Sequence, residues 1–254
     1  MLNFFFYNYS EKQTTEEIIK SIETLVKGTT QYEWMEEYML FVTVPTISLE
    51  GVLAADTFDR HRVKITAERF SLHDPLITGE ISLDKLKAAG VDMLTTGLAD
   101  NRESGAETND EVADKVERAL KEELKVLLGI GENEAVQTEG VAAEVLQKQL
   151  QAGIRKIPLE SFYRCAVLYK PLWAFAPEYR NTDPSYRDQM FALIRETAAK
   201  ERPEFPEPLP LIYGGCMEKD EARELLVSEV LDGVMIDSSR MDTEEFEAFI
   251  HSCY

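Results

Sequence analysis

Lys170 is the residue whose type and position carry the most chemical information in this chain. It follows the apolar run 163–169 and precedes Pro171, in the segment Tyr-Lys-Pro-Leu-Trp. Two acids, Asp100 and Asp237, likewise come shortly after apolar runs. A lysine with carboxylates nearby can take part in acid–base chemistry, and it can form a Schiff base if its pKa is depressed. These three residues are the candidate catalytic groups.

Two interpretations of Lys170 remain open. A Schiff-base nucleophile needs a depressed pKa, and therefore an apolar or cationic pocket. The acids expected near it, Glu68, Asp100 and Asp237, would raise the pKa instead. We therefore prefer a lysine paired with one of these carboxylates. We expect its nitrogen to lie within ~4 Å of at least one of them.

The elements that must position these groups are short apolar runs that alternate with longer amphipathic segments. The runs are 3–7, 38–44, 62–66, 91–96, 125–130, 163–169, 209–213 and 233–236. Repeated strand–helix alternation indicates parallel strands with right-handed crossovers. The chain has 254 residues, close to the ~250 of one closed (β/α)₈ barrel. We predict an α/β barrel with a single domain over residues 1–254, and catalysis at the C-terminal strand ends.

Four helix starts are recognisable from their capping residues. Two fit the capping box, in which hydroxyl and carboxylate satisfy each other's backbone amides. A third has an aspartate before a proline at the first helical position, and a fourth opens like a capping box. The pairs are Thr14 with Glu17, Thr108 with Glu111, Asp183 with Pro184, and Asp242 with Glu245.

The amino-acid composition disfavours some classes of binding partner. The net charge of −20 disfavours nucleic acid and anionic membrane surfaces and favours a cytoplasmic location. Three cysteines form neither a disulfide framework nor a metal-binding spacing, and no cofactor motif is present. No apolar run approaches the ~20 residues that span a bilayer. We interpret the acidic stretches 103–111 and 201–207 as solvated surface.

Several motifs resemble one enzyme family. The Tyr-Lys-Pro-Leu-Trp segment is similar to the Tyr-Glu-Pro-x-Trp signature of triosephosphate isomerase. Six segments, one of which overlaps this signature, follow that family in order and spacing: 78–82, 112–120, 124–132, 171–174, 213–215 and 232–233. The resemblance implies a TIM barrel, a glycolytic isomerase activity and a homodimer. It also implies that the loop 70–80 enters a pocket of the partner.

The departures from the family fall on its chemical positions. The family's catalytic glutamate is Lys170, its polarising histidine is Leu98 and its substrate-binding lysine is Ser10. A cysteine position holds Gly129, whereas the asparagine survives as Asn8. An ammonium has no free lone pair at neutral pH, and an aliphatic side chain donates no hydrogen bond. The family mechanism therefore loses its base, its electrophile and its positive charge.

The phosphate-binding loops have changed as well. The eighth-loop Gly-Gly is Asp237-Ser238, which places a carboxylate where a dianion would bind. The seventh-loop Gly-Gly-Ser is Gly214-Gly215-Cys216, in which two glycine amides are expected to remain available. The lid at 174–180 has lost its glycines and gained a proline, so hinged closure is harder.

The resemblance and these departures lead to two hypotheses. The first is a family member without the interconversion of dihydroxyacetone phosphate and glyceraldehyde 3-phosphate, reused as a non-catalytic or regulatory protein. The second is an enzyme of altered chemistry that acts on a non-phosphorylated sugar or related molecule through Lys170 with Asp100 or Asp237. The candidate ligand-binding residues are Asn8, Glu68, Gly214, Gly215, Cys216 and Ser238.

Overall fold

Eight parallel strands in the described part of the computed structural model form a closed barrel in the order β1 to β8. The structure describes residues 3–29, 38–73, 76, 79–175, 183–215, 219–227 and 229–254. The strands are β1 (Asn3–Asn8), β2 (Tyr38–Thr43), β3 (Val63–Ala67), β4 (Met93–Thr96), β5 (Lys125–Ile130), β6 (Cys165–Tyr169), β7 (Leu211–Tyr213) and β8 (Gly233–Asp237). This confirms the predicted α/β class and the (β/α)₈ TIM barrel.

The helices follow the strands along the chain. They are α1 (Thr15–Thr29), α2 (Leu49–Ala54), α3 (Leu83–Ala89), α4 (Ala99–Glu103), α5 (Asn109–Lys121), α6 (Glu134–Thr138), α7 (Ala142–Ile154), α8 (Pro184–Glu201), α9 (Lys219–Val227) and α10 (Thr243–Ser252). Short 3₁₀ turns add Thr46–Ser48, Leu159–Arg164 and Trp173–Phe175. The strand ends differ from the predicted runs by two residues at most, and the 3₁₀ turn Leu159–Arg164 explains the late start of β6.

All four predicted helix starts are confirmed. The amide of Thr14 donates to the Glu17 carboxylate at 2.8 Å, and the Glu17 amide donates back to the Thr14 hydroxyl at 3.3 Å. The same reciprocal bonds open α5 and α10, and Pro184 follows an aspartate cap at α8. Because these caps satisfy amides that have no partner inside the helix, they fix where each helix begins.

The chain divides into two compact units, each described here by itself. The first comprises Met1–Leu94 with Lys219–Tyr254. Its middle strand β1 pairs in parallel with β2 on one side and with β8 on the other. Aromatic side chains fill its core: Phe6 stacks on Phe41 with ring centroids 4.5 Å apart, and Phe5 meets Phe249 edge to face. The register therefore brings the ends of β1 and β8 side by side.

The second unit comprises Thr95–Glu218. Strand β6 pairs in parallel with β5 and β7 and is buried along its whole length. Helices α5, α7 and α8 turn buried apolar faces inward. A run buried on both faces is typical of a parallel sheet covered by helices. The assignment of residues 1–254 to one domain stays a prediction.

Candidate functional site

The C-terminal ends of β1 and β8 carry the polar groups of the first unit. Asn8 and Asp237 are register partners on the two strands, and the Asn8 side-chain amide donates a hydrogen bond to the Asp237 carboxylate. The Ser238 amide donates to the Asn8 carbonyl at 2.8 Å. The structure therefore brings the candidate residues Asn8, Asp237 and Ser238 together, and their role in binding a ligand stays a prediction. The Ser238 amide is used within the sheet and is not available to an anion.

Ser10 lies in an uncharged hydrogen-bond network beside this pair. Its amide donates to Gln13 Oε1 at 3.0 Å and to Ser238 Oγ at 3.0 Å. The Ser238 hydroxyl in turn donates to Gln13 Oε1 at 2.9 Å. The network connects the β1 and β8 loops through neutral groups. Gln13 was not selected from the sequence, because a glutamine in an acidic, solvent-facing segment carries no distinctive signal.

Glu68 follows directly after β3 and is partly buried. Its backbone position is at the C-terminal end of a strand, where the sequence placed it. Its role as a ligand-binding residue stays a prediction.

In the second unit, Leu98 follows β4 and is 8% exposed. A Cβ atom on Gly129 would lie 2.9 Å from Leu98 Cδ2 and 2.9 Å from the Leu98 amide nitrogen. Contacts under 3.0 Å are not tolerated between such atoms, so glycine is required at the end of β5. The two departures at these positions are thus coupled by packing: leucine occupies the space beside a residue without a side chain.

A buried carboxylate supports the turn before Leu98. Gly97 has a φ of 83°, the left-handed region that favours glycine. Its amide donates to Glu107 Oε2 at 2.8 Å, and the other Glu107 oxygen accepts from Thr96 at 2.8 Å and from Lys115 at 2.7 Å. Glu107 is 6% exposed, so the interpretation of 103–111 as solvated surface is wrong at this residue. The ion pair with Lys115 and the three hydrogen bonds offset the cost of burying the Glu107 charge.

Arg102 stabilises the same turn through the Gly97 carbonyl. Its Nε donates to the Gly97 carbonyl at 2.9 Å. Burial lowers the pKa of Arg102 to about 10, and the charge of Glu107 acts in the opposite direction. The guanidinium remains positively charged at neutral pH. Arg102 therefore fixes the backbone on which Leu98 stands.

Two glycines lie close to Lys170: Gly131 beside its backbone carbonyl and Gly214 beside the methylenes of its side chain. Its amide donates to the Ile130 carbonyl at 2.9 Å. A Cβ on Gly131 would lie 2.2 Å from the Lys170 carbonyl oxygen, and one on Gly214 would lie 3.3 Å from Lys170 Cγ. The lysine stem thus packs against the bare backbone of Gly214. Its pairing with Asp100, Asp237 or Glu68 stays a prediction.

A second buried carboxylate, Glu132, anchors the segment that follows Lys170. Its Oε1 accepts hydrogen bonds of 2.9 Å from Tyr169, Trp173 and Tyr186. Burial, and then the charge of Glu132, raises the pKa of the Tyr169 and Tyr186 phenols. Glu132 Oε2 is buried and has no hydrogen-bond partner among the described residues. The Gly131-Glu132 motif was recognised in the sequence, but the hydrogen bonds of the carboxylate were not anticipated.

The seventh loop departs from the sequence prediction. The Gly214 amide donates to the Tyr169 carbonyl at 2.9 Å, so it does not remain available for an anion. A Cβ on Gly215 would lie 2.0 Å from the Tyr213 hydroxyl oxygen, which explains the glycine there by packing alone. Cys216 and most of the predicted lid at 174–180 lie outside the described residues.

Within the described ranges, no group of three or more histidine, cysteine or acidic side chains is arranged to hold a metal ion. The same part of the chain contains no helix that combines the length and apolar character of a membrane span.

The fold and strand ends define a (β/α)₈ barrel protein in which Leu98 follows β4 beside Gly129 of β5, and Lys170 follows β6 beside Gly131 and Gly214. The sequence model of triosephosphate isomerase matches residues 3–253, and the chain belongs to the triosephosphate isomerase family.

Individual relatives extend over much of the chain. The triosephosphate isomerase of Cytophaga hutchinsonii is 29% identical over 94% of this chain and 94% of the relative. That of Chromohalobacter salexigens is 30% identical over 75% of this chain and 76% of its own length. The enzyme of Vesicomyosocius okutanii is 32% identical, with 66% and 68% covered.

Proposed function

We propose that this family member does not interconvert dihydroxyacetone phosphate and glyceraldehyde 3-phosphate by the family mechanism. The observation that carries the proposal is the packing of Leu98 over Gly129, at the position of the family's polarising imidazole. An aliphatic side chain cannot donate a hydrogen bond to a substrate carbonyl. Since the Leu98 side chain is buried against the end of β5, it also fills the space that an imidazole would need.

The base and the phosphate groups support the same proposal. Lys170 stands where the family has its glutamate, and an ammonium cannot accept the substrate proton at neutral pH. The amides of Ser238 and Gly214 are used in hydrogen bonds to Asn8 and Tyr169. General acid–base groups contribute ~10²–10⁴ each, so the loss of several together removes most of the rate enhancement.

The activity assay is direct. Purified protein is supplied with dihydroxyacetone phosphate, and product is measured with a coupling dehydrogenase, with the Cytophaga hutchinsonii relative as positive control. We expect no turnover above that of the Lys170→Met variant. Turnover in the ordinary enzyme range of ~1–10³ s⁻¹ that this variant abolishes would overturn the proposal.

A negative assay is consistent with both a non-catalytic or regulatory role and an enzyme of altered chemistry. The alternative, altered chemistry on a non-phosphorylated sugar through Lys170 with Asp100 or Asp237, is tested by thermal-shift measurements against sugars, sugar phosphates and amines. A ligand that binds the folded state raises the melting temperature by mass action. Stabilisation by a free sugar that is lost in Lys170→Met would favour the alternative.

We further infer a cytoplasmic homodimer formed through the loop 70–80. The described part of this loop is supported from within: Ser71 donates to the Glu80 carboxylate at 2.8 Å, and its amide donates to the Ile81 carbonyl. Leu72 and Leu76 are exposed, at 37% and 45%. Exposed aliphatic side chains on a supported loop are suited to a partner surface. Light scattering should give a dimer that Leu76→Asp dissociates, whereas Leu159→Asp, at another exposed leucine, should not.

A further inference from the structure

An apolar cavity that opens to solvent on one side lies in the second unit, beside helix α8 and away from the C-terminal strand ends. Its volume is about 430 Å³. The buried side chains of Val167, Ile194, Leu209 and Leu211 line it, together with Phe205 and three prolines. Ligand sites in proteins are typically apolar cavities of ~300–1,000 Å³. An engineered cavity of ~150 Å³ already binds benzene, so this one accommodates a larger molecule.

The walls of the cavity are held in place. Arg195 donates to the Leu209 carbonyl at 2.7 Å and so joins α8 to the segment before β7. Arg202, at the end of α8, donates to the carbonyls of Ile154 and Ile157 at 2.5 and 2.8 Å. The lining prolines restrict their own φ angles, which stiffens this wall. These hydrogen bonds and prolines limit the movement of the walls, which lowers the ordering cost of binding a ligand there.

The charges at the rim favour a cationic ligand. Two arginines line the cavity, and both are engaged within the protein: Arg195 donates to the Leu209 carbonyl, and Arg202 to two carbonyls and, at 2.5 Å, to Glu204. Glu196 and Glu207 also line the cavity and are exposed. The chain as a whole carries a net charge of −20, which adds a field that attracts cations.

We propose that this cavity binds a small organic amine with an apolar body. The aromatic or branched aliphatic body occupies the space between Ile194, Leu209 and Phe205. The ammonium group stays at the open rim, where Glu196 and Glu207 face solvent. Burial of the apolar body supplies affinity, and the carboxylates select the charge. This site is separate from the strand ends and does not depend on the isomerase proposal.

The test compares three probes of similar shape and different charge: 2-phenylethylamine, 2-phenylethanol and 3-phenylpropionate. Each is titrated into the full-length protein while the methyl NMR signals of Val167, Ile194 and Leu209 are followed. We expect saturable shifts at these methyl groups, with the amine binding about fivefold more tightly than the alcohol. The carboxylate should bind more weakly than the alcohol.

Two pairs of variants test which acids cause the preference for the amine and whether the probes bind inside the cavity. The double variant Glu196→Gln with Glu207→Gln should bring amine and alcohol to equal affinity, whereas Glu139→Gln with Glu144→Gln, at exposed acids elsewhere in the unit, should not. Filling the cavity with Ala198→Phe should abolish the methyl shifts, and Ala192→Phe on the exposed side of α8 should leave them.

Three results of the titrations with the probes would overturn the proposal. They are the absence of saturable shifts with all three probes, shifts centred outside the cavity, and equal affinity for amine and carboxylate. If Ala198→Phe fails to fold, the methyl shifts of the unmodified protein and the glutamine variants still decide the question. Self-association through this face in the absence of probe would assign the cavity to a second copy of the chain, and would also overturn it.

Discussion

A methyl carbon of Leu98 lies 2.9 Å from the position that a Cβ atom on Gly129 would take. We expect Gly129→Ala to lower the free energy of unfolding by about 1–3 kcal/mol, because the new atom also meets the Leu98 backbone nitrogen. Leu98→Ala in the same chain should relieve part of that loss, since it removes one of the two contacts. Urea unfolding of the single and double variants measures the coupling.

The control for this cycle is a glycine that meets a different leucine. A Cβ on Gly153 would approach the Leu128 methyl groups at 2.5 and 2.7 Å. Gly153→Ala should therefore destabilise the protein, but its effect should add to that of Leu98→Ala within ~0.5 kcal/mol. Additivity in both cycles would show that Leu98 and Gly129 are not energetically coupled.

Glu132 provides the second prediction. Glu132→Gln keeps one acceptor oxygen but places an amide donor in a buried site whose neighbours are Tyr169, Trp173 and Tyr186. We expect a loss of about 1–3 kcal/mol in the free energy of unfolding, measured in urea. Glu139→Gln, at an exposed acid, should change it by less than ~0.5 kcal/mol. Equal effects of the two substitutions would contradict the anchoring role.

The ion pair of Glu107 provides the third. Lys115→Met leaves a 5%-exposed carboxylate without its 2.7 Å partner, and we expect a loss of about 3–5 kcal/mol. Lys121→Met removes a partner from an exposed pair on the same helix and should cost at most about 1 kcal/mol. Thermal or urea unfolding distinguishes them. A small effect of Lys115→Met would mean that Glu107 is held by Thr96 and the Gly97 amide alone.

The fold could be predicted from local patterns because a buried strand and a helix cap can each be recognised from a few consecutive residues. The runs that alternate with amphipathic helices fix the barrel, and pairs such as Thr108 with Glu111 fix helix starts. Strand beginnings were less accurate, since Val91 and Leu209 are apolar and buried but lie outside the ladder. Hydrophobicity reports burial, whereas the strand limit depends on which amides are bonded across the sheet.

The candidate site was predicted less completely, for a physical reason. Asn8 with Asp237 could be placed together because strand ends share one side of a barrel. The burial of Glu107 and Glu132 depends on partners distant in sequence, such as Tyr186, 54 residues away. A single acid in a polar segment looks the same whether it faces solvent or a buried lysine. Likewise, the hydrogen bond from the Gly214 amide to the neighbouring strand depends on the register of the two strands. Amino-acid composition does not reveal that register.

Stability should fall at alkaline pH, and Cys165 isolates part of the effect. Burial raises the pKa of its thiol from an ordinary 9.0 to about 12. Since the folded-state pKa is raised, this stabilisation is complete below pH ~9 and is lost as the pH rises towards ~12. In that window Cys165→Ala should reduce the pH slope of the unfolding free energy by up to ~1.4 kcal/mol per pH unit.

The last prediction concerns the ion pair of Lys170. The lysine precedes Pro171, which favours an extended backbone, and its stem lies against Gly214. From there a long side chain reaches an acid while its methylenes stay packed. We expect its nitrogen within ~4 Å of a carboxylate of Asp100, Asp237 or Glu68.

Double-mutant cycles identify the partner of Lys170 without assuming it. Lys170→Met is combined in turn with Asp100→Asn, Asp237→Asn and Glu68→Gln, and unfolding free energies are measured. The true pair should show a coupling of at least ~0.5 kcal/mol, whereas Lys200→Met, at an exposed lysine, should be additive with all three acids. Additivity of Lys170→Met with every acid would reject the ion pair. It would favour the Schiff-base nucleophile instead, because an ammonium held by a carboxylate is not nucleophilic and an unpaired lysine is the form that this chemistry needs.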